Sequence, residues 1–361
     1  MNDHNGGHGE QGEVFLDQDD IIQEIAVDEE DLPDADDEIG SDADDEDADD
    51  SIHIFTGHTD EVYTVACSPS DASLVATGGG DDKGFCWKIG RADWNLELQG
   101  HKDSVSALAF SADGQLLACG SFDGLVQVWD MSSSSLKCVL EGPGMGIEWV
   151  RWHPKGHLVL GGSEDSTVWM WNADKNAYLN SFSGHGGSVT CGDFTPDGKT
   201  ICTGSDDASL RIWNPKTGEN IHVVKGHPYH TAGLTCLAIT PDSTLAITGS
   251  QDGSVHIVNI TTGKAISSLI AHSDSVECIG LSSRFMGGVT CLLWLGKSQF
   301  IATGCVDGKI RLWDSLSGNC RKTFHGHTDV IQSLAISADE EHLVSCSLDG
   351  TARVFDISEF R

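Results

Sequence analysis

Residues 100–130 read GHKDSVSALAFSADGQLLACGSFDGLVQVWD, and what this stretch contains, and how often it returns, decides the fold. His101 stands four residues ahead of an apolar run that starts at Val105. A second apolar run, LLACGS, ends in a Phe-Asp-Gly turn, and Trp129 follows Asp123 by six residues. Apolar runs of five to seven residues joined by tight Asp-Gly turns read as strands of an antiparallel meander. Strands this short do not stabilise one sheet alone, so the unit needs copies of itself to pack against.

The copies are present. Apolar strand starts fall at Val62, Val105, Ile147, Val189, Leu234, Val276, Val289 and Ile331, with steps of 43, 42, 42, 45, 42, 13 and 42. A period near 42 signals stacked supersecondary units. The Gly-His pair returns as Gly57-His58, Gly184-His185 and Gly326-His327, with Ala271-His272 as a variant and Gly226-His227 standing seven ahead of its strand. An Asp is followed six residues later by an aromatic or Val at Asp81/Trp87, Asp123/Trp129, Asp165/Trp171, Asp207/Trp213, Asp252/Val258, Asp307/Trp313 and Asp349/Phe355.

Over residues 52–356 these units resemble WD40 repeats. The expected fold class is all-β: a WD40 β-propeller with eight repeat starts but seven complete repeats. IHIF (52–55) reads as an outer strand without inner strands of its own, and is expected to pair with TARVFDI (351–357) and close the ring. The domain reading is a disordered acidic tail over 1–51 and a propeller over 52–357, with an irregular junction at 276–294.

The recurrence of His, hydroxyl and Asp invites a hydrolase triad of His101, Ser121 and Asp123. Repetition in blade after blade argues against it, because a hydrolase needs one polarised constellation with an oxyanion site. The resemblance implies instead a structural network in which the Gly-His imidazole bonds the turn Asp and a Ser or Thr that meets the Trp indole. On that scheme the network residues are His58, Asp81, Trp87, His101, Asp123, Trp129, Asp165, Trp171, His185, Asp207, Trp213, His227, Asp252, Asp307, Trp313, His327 and Asp349. Pro143 replaces the His of repeat three, and Val258 replaces the Trp of repeat five. No catalytic residue, metal site or cofactor is expected; the glycines sit in turns, not in a phosphate loop.

Charge is concentrated at one end. Residues 1–50 hold 22 of the 56 acidic residues and none of the 21 Lys and Arg. Such a segment cannot bury enough apolar surface to offset chain entropy. Its one apolar patch, VFLDQDDIIQEIAV (14–27), spaces Ile21, Ile22 and Ile25 near helical period, so it is a candidate motif that folds on a partner. The twelve Cys show no zinc spacing and read as buried free thiols of a reducing compartment. No apolar run reaches 18 residues and the N-terminus is acidic, so neither a membrane nor the secretory route is expected.

Function is expected from a surface. The resemblance places partners on the face around the central channel, here lined by Asp60, Tyr63, Asp103, Glu148, Tyr229, Glu277 and Asp329. Their acidity points to a basic partner and away from nucleic acid. The acidic tail, then DSIHIFTGHTDEVYTVACSP, then the irregular third repeat GPGMGIEWVRWHPKGHLVLGGSEDSTVWMW resemble the angio-associated migratory cell protein family. That family's fungal relative is a ribosome-assembly chaperone, so the resemblance implies a monomeric chaperone for a basic large-subunit ribosomal protein, in the cytoplasm with the nucleus open to it. The alternative is an adaptor in signalling, cell migration or ubiquitin ligation that binds peptides.

One stretch breaks the period. In VECIGLSSRFMGGVTCLLW (276–294) two strand starts lie 13 residues apart, and only the second leads into a complete repeat. Two readings stand: a seven-bladed ring with a 13-residue insertion, or an eight-repeat chain whose seventh unit has been cut. The second is preferred because the family resembled carries eight repeats.

Overall fold

The computed structural model describes residues 14–15, 23–26, 48–91, 93–270, 272, 274–279, 289–295 and 298–360. Its strands form seven antiparallel meanders of four, arranged as a seven-bladed β-propeller. Blade one runs Val62–Cys67, Leu74–Gly79, Gly84–Lys88 and Trp94–Leu98 from the inner strand outward. Blades two to six occupy 105–140, 147–183, 191–225, 234–270 and 289–324 in the same order. Blade seven takes three strands from 331–356 and its outer strand, His53–Phe55, from the start of the chain.

That last pairing closes the ring. His53, Ile54 and Phe55 oppose Val354, Arg353 and Ala352 in antiparallel register, as the sequence led us to expect. Phe55 is buried and stacks on Trp87 of blade one, with centroids 4.9 Å apart. The fastening begins a few residues earlier than position 52: Arg353 bonds Asp49, and Asp50 exchanges hydrogen bonds with the His325 backbone at 3.0 and 2.8 Å.

Blade cores are shared between neighbours. The central strands carry a cross-strand pair on each face, and the pair containing the Trp covers the opposite pair of the blade before it. Trp129 thus lies with Ala76 and Cys86, and Trp213 with Leu160 and Met170. Six such clusters of buried apolar side chains span six of the seven boundaries. Among the described residues, none joins blade five to blade six.

The irregular junction lies at that boundary. Val289–Trp294 is the inner strand of blade six and pairs with Phe300–Cys305. Val276 forms no strand, yet its N–H donates to Ser250 O at 3.0 Å, as Leu234 N–H does to Ser205 O in blade four. The described residues therefore make seven blades, and Val276 takes the position that opens a further one.

Two short strands of the N-terminal segment lie on the outer edges of the ring. Val14–Phe15 pairs in parallel with Asn220–Lys225, and Gln23–Ala26 with Lys264–Ile270, adding a fifth strand to blades four and five. Outer strands offer unpaired backbone groups, and an extended segment satisfies them where a helix cannot. Ile21 and Ile22 lie outside the described residues.

Candidate functional site

Beneath the site lies the polar network. In blade one, His58 Nδ1 pairs with Asp81 at 3.0 Å, its Nε2 lies 3.0 Å from Thr77 Oγ1, and the Trp87 indole N–H donates to that hydroxyl at 3.3 Å. Blade four repeats this with His185, Asp207, Thr203 and Trp213, the last two steps at 2.8 Å. In blade seven His327 meets Asp349 at 2.8 Å and Ser345 at 2.7 Å, with Phe355 at the Trp position. The Asp also accepts backbone N–H groups of the loop ahead of the inner strand, such as that of Thr59 at 3.0 Å. It thus ties a turn to a loop.

Other blades vary the scheme. His101 meets Asp123 at 3.0 Å, but Trp129 donates to Gln127 at 3.1 Å. Ser121 donates to the Asp103 carbonyl and takes the Asp123 N–H, a turn-fastening role without contact to His101. In blade three, with Pro143 at the His position, Asp165 lacks the imidazole and keeps the loop backbone bond, from the Gly144 N–H at 2.7 Å as from Thr59 in blade one, and Trp171 donates to Glu141 O. In blade six Asp307 pairs with Arg311 at 2.6 Å, while Trp313 donates to Thr303.

Blade five corrects two assignments. His227 is exposed and outside the network; His230 takes the place, with Nε2 2.9 Å from Thr248 Oγ1 and Nδ1 3.4 Å from Asp252. The three extra residues in GHPYH move Gly-His away from its strand, while position 230 keeps the four-residue spacing to Leu234. Tyr229 does not line the partner face. It is 2% exposed, its hydroxyl 2.9 Å from Thr248, where it substitutes for the absent Trp.

Burial opposes ionisation of these carboxyls, but their hydrogen bonds outweigh it. Asp207, Asp252 and Asp349 are all held well below the usual carboxylate range, Asp207 and Asp349 chiefly by the imidazole beside each and Asp252 by Ser254. Burial pushes His185 and His230 down, against their Asp partners. His256, packed on both Tyr229 and His230, falls to about 3 through burial and the His230 charge.

Above the network lies a rim. In blades one to five and seven a backbone bond ties the turn after the second strand to the loop before the first, as from Phe122 to Ser104 and from Asp206 to Ser188, both at 3.0 Å. Asp60, Asp103, Glu277 and Asp329 are exposed in or beside these loops. Tyr63 is half-buried and donates to Glu61 at 3.0 Å. Half-buried Glu148 accepts from Ser188 at 3.0 Å, and burial, followed by the charges of Glu164 and Asp206, raises its pKa.

Sequence reasoning passed over Glu164, Asp206, Phe122 and Met145, the last two 37% and 54% exposed. The signal for three of them is positional: Phe122, Glu164 and Asp206 each follow the last residue of a second strand or stand two beyond it, one residue before the network Asp. Among the described residues no cluster of His, Cys, Asp or Glu is arranged to hold a metal, and no helix is long and apolar enough to cross a membrane.

Comparison with known proteins agrees with this architecture. The family described as WD domain, G-beta repeat matches residues 49–88, 94–130, 134–172, 176–214, 218–259, 283–314 and 318–356. Angio-associated migratory cell protein from Homo sapiens is 42% identical over 65 residues, 18% of this chain and 15% of that protein. Periodic tryptophan protein 2 from Arabidopsis thaliana is 40% identical over 73 residues, 20% of this chain and 8% of that protein. The crystal structure of Sqt1 from Chaetomium thermophilum superposes with a TM-score of 0.78 at 22% identity, covering 86% of this chain and 99% of that one, a likeness of fold.

Proposed function

The chain belongs to the WD domain, G-beta repeat family, and from that premise we propose that it is a non-enzymatic platform that holds a basic ribosomal protein on its acidic rim for large-subunit assembly. Propellers of this family act by binding proteins. The observation that carries the reading is the rim: Asp60, Asp103, Glu164, Asp206 and Asp329 stand at recurrent loop and turn positions of five blades, with Glu148 beside them on the inner strand of blade three. Burial raises the pKa of Glu148, and the repulsion of the Glu164 and Asp206 carboxylates adds to it. A cationic partner relieves that repulsion, and the 22 carboxylates of residues 1–50 increase its rate of capture.

A second reading draws on Phe122 and Met145, exposed on neighbouring turns of the same rim. They suit a peptide with an apolar anchor, as an adaptor in signalling or ubiquitin ligation would bind. The test is titration of the full chain with purified large-subunit ribosomal proteins across salt. On the first reading, affinity for one basic protein falls at least roughly tenfold between about 50 and 300 mM NaCl, and Asp103→Lys with Asp329→Lys weakens it further. Salt-independent binding, or none, sinks it. Pull-down from cytosol that returns ligase or receptor components then favours the second.

A further inference from the structure

The third repeat replaces the usual Gly-His with GPGMG (142–146), a change that the polar network does not use. The loop is nonetheless fastened to the turn of its own blade. The Gly144 N–H donates to Asp165 at 2.7 Å, the Gly146 N–H to Glu164 Oε2 at 3.1 Å, and the Ser163 hydroxyl to Met145 O at 3.3 Å. On the other side the turn of blade two closes against it, since a Cβ on Gly124 would lie 3.0 Å from Met145 O. Held from both sides by its backbone, Met145 keeps its side chain in solvent.

An aromatic ring and a carboxylate meet beside it. A Cβ on Gly146 would lie 2.8 Å from Phe122 Cδ1 and 2.8 Å from Glu164 Oε2, so the two side chains flank one glycine. Aromatic rings and methionines are enriched where proteins bind proteins, the methionine because its soft, unbranched chain adapts to what it covers. Next to Glu164 stands Glu148, and blade three has released it from a structural task. At the same position of blades two, four and five, Ser106, Thr190 and Thr235 donate to the carbonyls of Ile147, Leu234 and Val276, each of which opens the next repeat. In blade three the Trp149 indole takes over that bond, donating to Val189 O at 2.8 Å. Its ring is admitted by Gly162 and Gly192, where a Cβ would lie 2.3 and 2.4 Å from it.

We propose that blades two and three form a composite seat for a basic partner segment that carries one large apolar side chain between cationic ones: the apolar side chain lies on Phe122 and Met145, and its cationic neighbours reach Glu164 and Glu148. Such a seat rests on the reading of the rim as the surface for a basic partner, and names the segment it takes. Charge complementarity selects the occupant, because a neutral or acidic peptide that covers Phe122 would leave Glu164 desolvated and unpaired. The two parts divide the work: carboxylates set the rate of encounter, and burial of the apolar side chain slows release.

Two synthetic peptides of equal charge, Lys-Arg-Trp-Arg-Lys and Lys-Arg-Ala-Arg-Lys, test it by calorimetric titration of the full chain. The Trp peptide is expected to bind at least roughly tenfold more tightly, and Phe122→Ser with Met145→Ser is expected to abolish that preference. Val306, 58% exposed on the corresponding turn of blade six, is the control, and Val306→Ser should leave the preference intact. Glu148→Gln should weaken both peptides alike. Equal affinities, a preference that survives the double substitution, equal binding of Glu-Asp-Trp-Asp-Glu, or no binding at millimolar peptide overturns the seat. A direct readout is the methyl spectrum of the chain with carbon-13 in its methionines, where the Met145 signal is identified by its loss in Met145→Leu. It should shift saturably with the Trp peptide; a signal that stays in place while the peptide binds also overturns the seat. If the peptides discriminate and no ribosomal protein binds in the salt titration, the ribosomal reading falls and the seat stands. If a ribosomal protein binds the doubly substituted chain as well as the parent, the seat falls and the ribosomal reading stands.

Discussion

Cys119 occupies the strand position that carries Thr77, Thr203, Thr248, Thr303 or Ser345 in other blades, and His101 Nε2 is buried beside it without a hydrogen-bond partner. Cys119→Thr restores that hydroxyl and is expected to stabilise the fold by about 1 kcal/mol, measured by denaturant unfolding. Unchanged stability would show that the nitrogen is satisfied otherwise. The buried histidines set a pH dependence with a definite sign. His185, His230 and His256 are all shifted below the ordinary value, so the folded state resists protons that the unfolded chain takes up. Their contribution is present above about pH 6.5 and lost as pH falls toward the folded values, near 3 for His256. Melting temperature should therefore fall between pH 7 and 5, and His256→Asn should flatten that slope; an unaltered slope refutes the assignment. Most network residues could be read from one offset. His230 was hidden because the Gly beside the usual His marked the wrong residue, and Tyr229 because a polar tip on an apolar body suits a surface or a core equally.

Among the elements, the second-to-third-strand turns were the most readable, and they still differ in quality. Gly124, Gly253, Gly308 and Gly350 take positive φ there, and Ala208 takes the same conformation at φ 60° in blade four. An L side chain in that region costs about 1–2 kcal/mol. Ala208→Gly should recover up to about 1 kcal/mol of it, after the added freedom of the unfolded chain is subtracted. A loss of stability in thermal unfolding would count against this. The parallel strands at Val14–Phe15 and Gln23–Ala26 were not readable. The spacing of Ile21, Ile22 and Ile25 points to a helix, and what makes the strand residues extended is the unpaired outer edge of sheets some two hundred residues away in sequence.

At the scale of the whole molecule, closure rests on a strand that the chain supplies from its other end. Truncation of residues 1–56 removes His53–Phe55 with the Phe55–Trp87 stack and should lower the melting temperature by more than roughly 10 °C, while truncation of 1–47 keeps Asp49 and Asp50 and should change it by less than roughly 3 °C. Equal stability of the two would mean that the ring is held shut elsewhere. The repeat period, the short alternating strands and the Asp-Gly turns determined the propeller by themselves, because each is a local pattern that leaves one way to bury apolar faces. The acidity of the rim was equally present in the sequence, since it depends on which residues fill recurrent loop positions. Tertiary structure alone decided which His joins a network, which Tyr is buried, and that Val276 seats a blade the described chain does not continue. Those outcomes depend on what lies across a blade boundary, and the partners there are some forty residues distant along the chain.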